Sequence, residues 1–164
     1  MAAGESAKRD EAAVLRFIER FAAILADAGM ARMAARVFAA LLATDSGRLT
    51  AAELAEVLRV SPAAISAAVR YLMQLNMATR EREPGSRRDR YRLLDDVWYE
   101  ATMRRDQMLV RWEQAARLGV EVLGPGTPAG VRIAETLNYL EFVQAEMPAL
   151  LKRWEERKAR LRGG

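Results

Sequence analysis

The sequence contains no cysteine and no histidine. Their absence excludes disulfide bonds, thiol chemistry, Cys or His metal ligands and every nucleophilic mechanism that needs either residue. Glycine and proline are also scarce, with 10 and 5 residues among 164. No apolar run approaches the ~18 residues of a membrane-spanning helix, and the first residues lack the apolar core of a signal peptide. We therefore expect a cytoplasmic protein that has no cofactor, no metal site and no membrane contact.

The residues that are present favour α-helix. Hydrophobic residues make up 51% of the chain, and alanine, leucine, methionine, glutamate and arginine, all good helix formers, fill most positions. The formal net charge is only +4, but its distribution is uneven. Six arginines and three acidic residues lie between Met77 and Arg92, which leaves a local excess of three positive charges.

Two short capped helices lie in the middle of the chain. Thr50 and Glu53 match a capping box at the start of the first helix. The second begins after Ser61, a good N-cap residue, with Pro62 at the first helical position, where its missing N–H costs nothing. About three residues join the two helices, and this arrangement is typical of a helix-turn-helix.

Long amphipathic segments flank this pair of helices. Apolar residues at helical spacing predict helices over about residues 8–28 and 31–43. From Asp95 the helical period returns until the GPGTP sequence breaks it, and a last helix should run from Thr127 nearly to the end of the chain. We expect Pro148 to kink this last helix or to divide it in two.

The segment after the second capped helix has the alternation of a β-hairpin, and PGS at 84–86 supplies its turn. Such a hairpin beside a helix-turn-helix forms a wing. The residues expected to face the core are Met77, Thr79, Tyr91 and Leu93. The residues expected to face solvent are Arg80, Arg82, Arg90 and Arg92.

The helix that begins after Ser61 presents an outer face of small side chains, with Ala63, Ser66, Ala67, Arg70 and Gln74 opposite an apolar edge. Small side chains let a helix backbone approach DNA closely in the major groove, which is about 12 Å wide. Ser61 and the first-turn amides are suited to a phosphate, and Ser66 to a base edge or a phosphate. Arg70 is the one side chain there that can make a bidentate contact with guanine.

The order of these elements resembles the MarR family of winged-helix transcription regulators, more particularly its GbsR-like relatives. The likeness is strongest in LTAAELAEVLRVSPAAISAAVRYLMQLNMATRE followed by GSRRDRYRL, where that family carries its helix-turn-helix and wing. The resemblance implies a homodimer on a pseudo-palindromic operator, held together by the first and last helices, often with a small-molecule pocket. The family's usual wing has an aspartate two residues before an arginine, whereas Asp89 is followed directly by Arg90. The motif therefore does not identify the arginine that reaches DNA.

The sequence thus predicts a mostly α protein, a winged helix-turn-helix with a two-stranded β wing, flanked by long N- and C-terminal dimerisation helices. The expected parts are a dimerisation helix over 1–28, a DNA-binding lobe over 29–94 and a C-terminal dimerisation region over 95–164. The expected function is a sequence-specific transcriptional regulator, a ligand-responsive repressor that binds double-stranded DNA as a homodimer. The candidate DNA-binding residues are Ser61, Pro62, Ala63, Ser66, Ala67, Arg70, Arg82, Arg87, Arg88 and Arg90.

Each feature also has a simpler interpretation. Exposed alanine is often no more than helix propensity, and the wing arginines could form solvated ion pairs with Glu81, Glu83 and Asp89. The alternative function is a winged helix that contacts other proteins without sequence-specific DNA binding. An enzyme is a third hypothesis, which the missing histidine and cysteine disfavour. The candidates for an effector pocket are Trp98, Tyr99, Trp112 and Tyr139. The simpler interpretation of these aromatic residues is packing in the core or in a dimer interface.

Overall fold

The computed structural model describes residues 10–82, 88–95 and 97–163, except for the side chains of 99–107. The chain divides into two compact units, the first extending to Val97 and the second beginning at Trp98. The assignment of the terminal helices to dimerisation stays a prediction. The elements follow the order α1 (Glu11–Asp27), α2 (Arg32–Ala43), β1 (Arg48–Thr50), α3 (Ala51–Leu58), α4 (Pro62–Gln74), β2 (Ala78–Arg82), β3 (Asp89–Leu93), α5 (Val97–Leu123) and α6 (Pro128–Arg162).

The first unit is built around α2. Val37, Phe38 and Leu41 of this helix are at most 2% exposed, and α1, α3 and α4 all contribute side chains to the same core. This burial follows from the apolar spacing of each helix, which presents one stripe inward. The fully buried side chains from the surrounding helices include Ile18 of α1, Leu54 and Leu58 of α3, and Ile65 and Leu72 of α4.

A small antiparallel sheet lies beside these helices in the order β1-β3-β2, with β3 in the centre. The predicted two-stranded wing is present as β2 and β3, and the third strand, β1, is an addition that the sequence did not predict. The RLT segment of β1 has only three residues and shows no alternation of its own. It forms a strand because it pairs with β3, with Leu49 opposite Tyr91, and a single sequence carries no local signal for such pairing.

The strand register also corrects the expected facing of the wing side chains. Directly paired residues on neighbouring strands share one face of a sheet. Arg80 pairs with Tyr91, so it lies on the face of the core-packed tyrosine, whereas Thr79 pairs with Arg92 on the opposite face. The four arginines therefore divide between two faces. The prediction began the alternation at Met77, which is buried but precedes β2.

The second unit contains α6 and nearly all of α5, joined by a turn that Thr127 organises. The Thr127 hydroxyl donates to the carbonyl of Leu123 at 2.8 Å and accepts from the N–H of Gly130 at 3.0 Å, which caps α6. α6 is one continuous helix through Pro148, so of the two effects expected there, a kink or a division in two, the division is wrong. Pro148 has no N–H, so the carbonyl of Gln144 lacks its usual helical hydrogen-bond partner. Because Pro148 is exposed, this carbonyl can bind water instead.

No helix in the described part of the chain is long and apolar enough to cross a membrane.

Candidate nucleic-acid interface

The outer face of α4 carries small side chains, as the sequence predicted. Ala63, Ser66 and Ala67 are exposed, whereas Ile65 and Val69 on the opposite edge are at most 2% exposed. The inner edge is packed into the core, so the orientation of the helix is fixed by burial. The first two turns of this outer face therefore carry only small side chains, and the longer Arg70 and Gln74 follow towards the end of the helix.

The turn between α3 and α4 is short and held at both ends. Arg59 has a left-handed backbone with φ of 52°, and the N–H of Val60 binds the carbonyl of Ala55 at 3.0 Å, which ends α3. Ser61 caps α4 by accepting the N–H of Ala64 at 3.3 Å, and Pro62 occupies the first helical position. The helix-turn-helix predicted from the sequence is confirmed, including the cap residue of its second helix.

Two polar side chains on the face of α4 are tied to the helix backbone. The Ser66 hydroxyl donates to the carbonyl of Pro62 at 3.1 Å, and Arg70 donates from Nε to the carbonyl of Ser66 at 3.3 Å. The bond from Arg70 uses Nε, whereas its terminal Nη groups carry the donors that a bidentate contact with guanine requires. The Ser66 oxygen keeps its capacity to accept a hydrogen bond.

The wing places arginines on both of its faces. Arg82 and Arg88 are exposed and Arg90 is half-buried. Arg80 forms an exposed ion pair with Asp89, with Nη1 3.5 Å from Oδ2. The expected turn at 84–86 and the candidate Arg87 lie outside the described residues.

The start of β3 lies near the start of α3, since Arg90 pairs with Thr50. Thr50 donates its N–H to Glu53 Oε2 at 2.6 Å, and Glu53 donates its own N–H to the Thr50 hydroxyl at 3.2 Å, which confirms the predicted capping box. The bonds from Thr50 are the main cause of a lowered pKa of the Glu53 carboxyl, and the charges of Arg90 and Arg88 lower this pKa further. The fold thus brings two candidate wing arginines towards the helix-turn-helix.

The base of the wing carries ion pairs that the sequence predicted only in part. Arg92 donates from Nε to Glu81 Oε1, and this hydrogen bond, more than the nearby carboxylate charges, raises the pKa of the Arg92 guanidinium. Arg48 of β1 lies on the other oxygen of Glu81, with Nη1 3.5 Å from Oε2. The simpler interpretation, that wing arginines pair with neighbouring acids, therefore holds for Arg92 and Arg80. Arg48 was missed because β1 was missed.

The candidate effector residues lie on the second unit and are largely exposed. Trp98 is 48% exposed, Trp112 is 53% and Tyr139 is 65%. The side chain of Tyr99 lies outside the described residues. Trp98, Trp112 and Tyr139 are therefore not buried in the interior of the second unit. Their role in an effector pocket stays a prediction.

A surface groove that the sequence did not predict lies in the first unit, between α1 and the C-terminal end of α3. Leu15, Ile18 and Val57 give it an apolar part, and Glu19 and Glu56 are among the charged residues along it. Across the described ranges, no group of three or more acidic side chains is placed to hold a metal ion.

Comparisons with known proteins agree with this arrangement. A model of the "MarR family" matches residues 28–89, and a model of the "MmpR5-like MarR family transcriptional regulator" matches residues 96–157. The HTH-type transcriptional regulator MmpR5 of Mycobacterium tuberculosis (strain ATCC 25618 / H37Rv) is 26% identical over 145 residues, which is 88% of each chain. A crystal structure described as a transcriptional regulator is 25% identical, with a TM-score of 0.71, and the match covers 88% of this chain and 99% of that one.

Proposed function

We propose that this chain, which belongs to the MarR family of transcriptional regulators, binds specific sequences of double-stranded DNA. In this proposal it acts as a homodimeric repressor, and a small ligand releases it from the DNA. The small-residue outer face of α4 is the observation that carries this proposal. MarR is a family of regulators rather than enzymes, and we propose no catalytic activity. A regulator works where the chromosome is, so the proposal also places the protein in the cytoplasm. The GbsR-like branch stays a prediction.

In the proposed complex, α4 enters the major groove with its exposed face against the bases. Ala63 and Ala67 allow close approach, and their methyl groups are suited to contact with thymine methyls. The cap at Ser61 and the first turn of α4, which includes Pro62, would lie against a phosphate. Arg70 would read guanine, and Ser66 would accept or donate at a base edge or phosphate. With so few long polar side chains, DNA shape would supply much of the specificity.

The wing would contact the DNA backbone and the adjacent minor groove. Arg82 and Arg88 are exposed, and guanidinium groups bind phosphates with bidentate geometry. Each arginine that neutralises a phosphate releases a counterion, which makes the affinity depend on salt concentration. We include Arg90 and, from the sequence alone, Arg87 in this group.

A homodimer would cover apolar side chains that each unit leaves exposed. Phe17 and Ile24 of α1 are 51% and 57% exposed, and Leu150 and Leu161 of α6 are 52% and 69% exposed. Large exposed apolar patches mark protein–protein contacts, and C2 homodimers are the commonest soluble oligomers. Two copies of α4 would then lie about 34 Å apart, one turn of DNA.

Release by a ligand would follow from the geometry of such a dimer. A ligand that binds more tightly to a dimer with a different spacing of the two α4 helices shifts the population away from the DNA-binding form. Trp98, Tyr99, Trp112 and Tyr139 are the proposed candidates for the effector site, and the chemistry of the ligand is open.

The test measures binding of the purified protein to the DNA upstream of its own gene. Binding is monitored by fluorescence anisotropy across a series of salt concentrations. A preference of about a thousandfold or more over scrambled DNA, together with a steep salt dependence, would support a specific regulator. Equal and weak binding to both DNAs would contradict specific recognition of that region and favour the alternative of a protein-contact module. A monomeric mass in solution would contradict the dimer and the palindrome.

A further inference from the structure

Glu81 of β2 is bound on both oxygens of its carboxylate by arginines from the other two strands. Arg92 of the central strand donates from Nε to Oε1, and Arg48 of the edge strand lies with Nη1 3.5 Å from Oε2. Arg48 and Thr79 both pair with Arg92, and Glu81, two residues after Thr79, pairs with Arg90. Residues two positions apart in a strand lie on the same face. Arg48, Glu81 and Arg92 therefore share one face of the sheet. A single carboxylate therefore joins all three strands.

The same group of side chains continues beyond the sheet. Arg92 also donates from Nη1 to the carbonyl of Leu93 at 3.2 Å and lies 3.7 Å from Oδ1 of Asp95. Asp95 belongs to the short connection between β3 and α5. We refer to Arg48, Glu81, Arg92 and Asp95 as the wing-base cluster.

The connection that the wing-base cluster reaches is anchored to the core. The N–H of Leu94 binds the carbonyl of Met77 at 3.1 Å, and Val97 at the end of this connection is 5% exposed. Met77 is itself buried and directly precedes β2. The cluster therefore ties the base of the hairpin to a part of the first unit that packing already fixes.

We propose that Glu81 is a positioning residue for DNA binding, because it fixes the three strands against one another and so sets the direction in which the hairpin meets DNA. This inference rests on the proposed function. The Arg92 side chain is 31% exposed, whereas Arg80 in the Arg80–Asp89 pair is 58% exposed. The two carboxylates, Glu81 and Asp89, are similarly exposed, so the better shielding of the Glu81–Arg92 bond comes from its arginine. Arg92 and Arg48 act here on the wing and not on the DNA.

A different role for Glu81 would be simple neutralisation of nearby arginines, and the two roles predict opposite signs. Replacing Glu81 with glutamine makes the protein more positive by one charge. If the carboxylate only neutralised arginines, the loss of this charge would raise DNA affinity. If it positions the wing, the affinity falls although the protein has become more basic.

The experiment compares Glu81→Gln with Arg92→Lys and with the control Glu113→Gln. Arg92→Lys keeps the positive charge but loses the planar fork that binds the carboxylate. Glu113 lies on α5 of the second unit and binds Arg117 at 2.6 Å, and Arg117 keeps Glu141 at 2.8 Å when Glu113 is changed. The control therefore has the same change in charge as Glu81→Gln without disturbing the wing.

Two measurements are made on each variant, the dissociation constant for the operator and the hydrogen exchange of strand amides without DNA. We expect Glu81→Gln and Arg92→Lys to weaken operator binding about fivefold, the effect of a wing that holds its binding-competent direction only about a fifth of the time. Amides of β1, β2 and β3 should exchange faster in both variants, whereas those of α2 should not. Glu113→Gln should bind at least as tightly as the unchanged protein and exchange identically in the strands.

Several outcomes would overturn the inference. Unchanged or tighter binding by Glu81→Gln would reduce Glu81 to neutralisation, and unchanged exchange in the strands would remove the wing-base cluster as a restraint. If the amides of α2 also exchange faster in Glu81→Gln, this variant is globally destabilised. The operator affinity and strand exchange of Arg92→Lys then decide whether the wing-base cluster positions the wing. An unchanged protein with no preference for any operator would refute the proposed function, whereas the exchange data would still show whether Glu81 restrains the strands.

Discussion

Arg36 of α2 binds Glu19 of α1 through two of its nitrogens. Its Nε donates to both carboxylate oxygens, at 2.9 and 3.0 Å, and its Nη2 donates to Oε1 at 2.5 Å. The same Nη2 donates to the carbonyl of Leu58, the last residue of α3, at 2.9 Å. The Arg36 side chain is only 18% exposed, so one guanidinium joins three helices in a partly shielded place.

We expect Arg36→Met to lower the free energy of unfolding by about 1–3 kcal/mol, because Glu19 and the carbonyl of Leu58 both lose a charged donor. Methionine keeps much of the apolar stem and so limits the loss of packing. The control is Arg16→Met, which removes an ion pair with Asp10 that spans 3.7 Å between two exposed side chains and should change stability by less than about 0.5 kcal/mol. Equal losses in urea unfolding would contradict the special role of Arg36.

The capping box of α3 gives stability a predictable dependence on pH. Hydrogen bonds from Thr50, helped by the charges of Arg90 and Arg88, hold the pKa of Glu53 below its ordinary value in the folded protein. A group with a lowered folded pKa stabilises the protein above its unfolded pKa, and this contribution is lost as pH falls through the folded value. Glu53→Gln keeps a capping side chain but removes the charge.

Stability of Glu53→Gln should therefore be lower than that of the unchanged protein at neutral pH, and the two should converge below about pH 4, under the ordinary pKa of a glutamate. The measurement is chemical unfolding at a series of pH values. Glu56→Gln, at an exposed position of the same helix, should change stability by less than about 0.5 kcal/mol at neutral pH. A constant difference between Glu53→Gln and the unchanged protein at all pH values would contradict this assignment.

The turn between α5 and α6 requires glycine at position 130. A Cβ at Gly130 would lie 1.9 Å from the carbonyl oxygen of Gly124, a backbone atom that has no rotamer to change. Gly130→Ala should therefore displace the turn and cost at least about 2 kcal/mol. A Cβ at Gly126 meets nothing within 4 Å, so Gly126→Ala should be neutral or slightly stabilising. Similar thermal unfolding temperatures for the two variants would contradict the close approach of the two glycines.

Local sequence signals predicted the helices and their caps, because capping and helical periodicity depend on residues a few positions apart. Thr50 and Ser61 cap their helices as predicted, and Thr127 caps the last helix, which was expected to begin there. Strand pairing depends on residues far apart in the chain. For this reason β1 was missed, and four arginines that divide between the two faces of the sheet were all assigned to one face. Pro148 shows a related limit, since its effect on α6 depends on the exposure of the position as well as on its ring.

The candidate site was predicted where it follows from one helix and not where it follows from the tertiary fold. The small face of α4 is a property of helical spacing, so Ala63 and Ser66 could be placed before the structure was known. The ion pair of Glu81 with Arg48 joins β2 to a residue that lies 33 positions earlier in the sequence. No pattern within either segment indicates that contact.

The helix-turn-helix turn contains a backbone conformation that most residues tolerate poorly. Arg59 has φ of 52° in the left-handed region, which costs a residue with a Cβ roughly 1 kcal/mol. Arg59→Gly should relieve this cost and raise the free energy of unfolding by about 0.5–1 kcal/mol. Arg59→Ala removes the same side chain but keeps the Cβ, so it should not be stabilising. Equal effects of the two substitutions in urea unfolding would show that the backbone conformation carries no cost.

Arg70 on α4 and the exposed arginines of the wing should affect DNA binding in different ways. Arg70 is proposed to contact a base, so Arg70→Ala should lose discrimination at one base position by about 1–3 kcal/mol. Arg82 and Arg88 are proposed to contact phosphates, so changing both to alanine should weaken binding to every sequence and reduce the salt slope by about one for each lost contact. The measurement is a salt series on the operator and on single-base variants of it. Unchanged base preference would show that Arg70 reads no base, and an unchanged slope would remove both wing arginines from the interface.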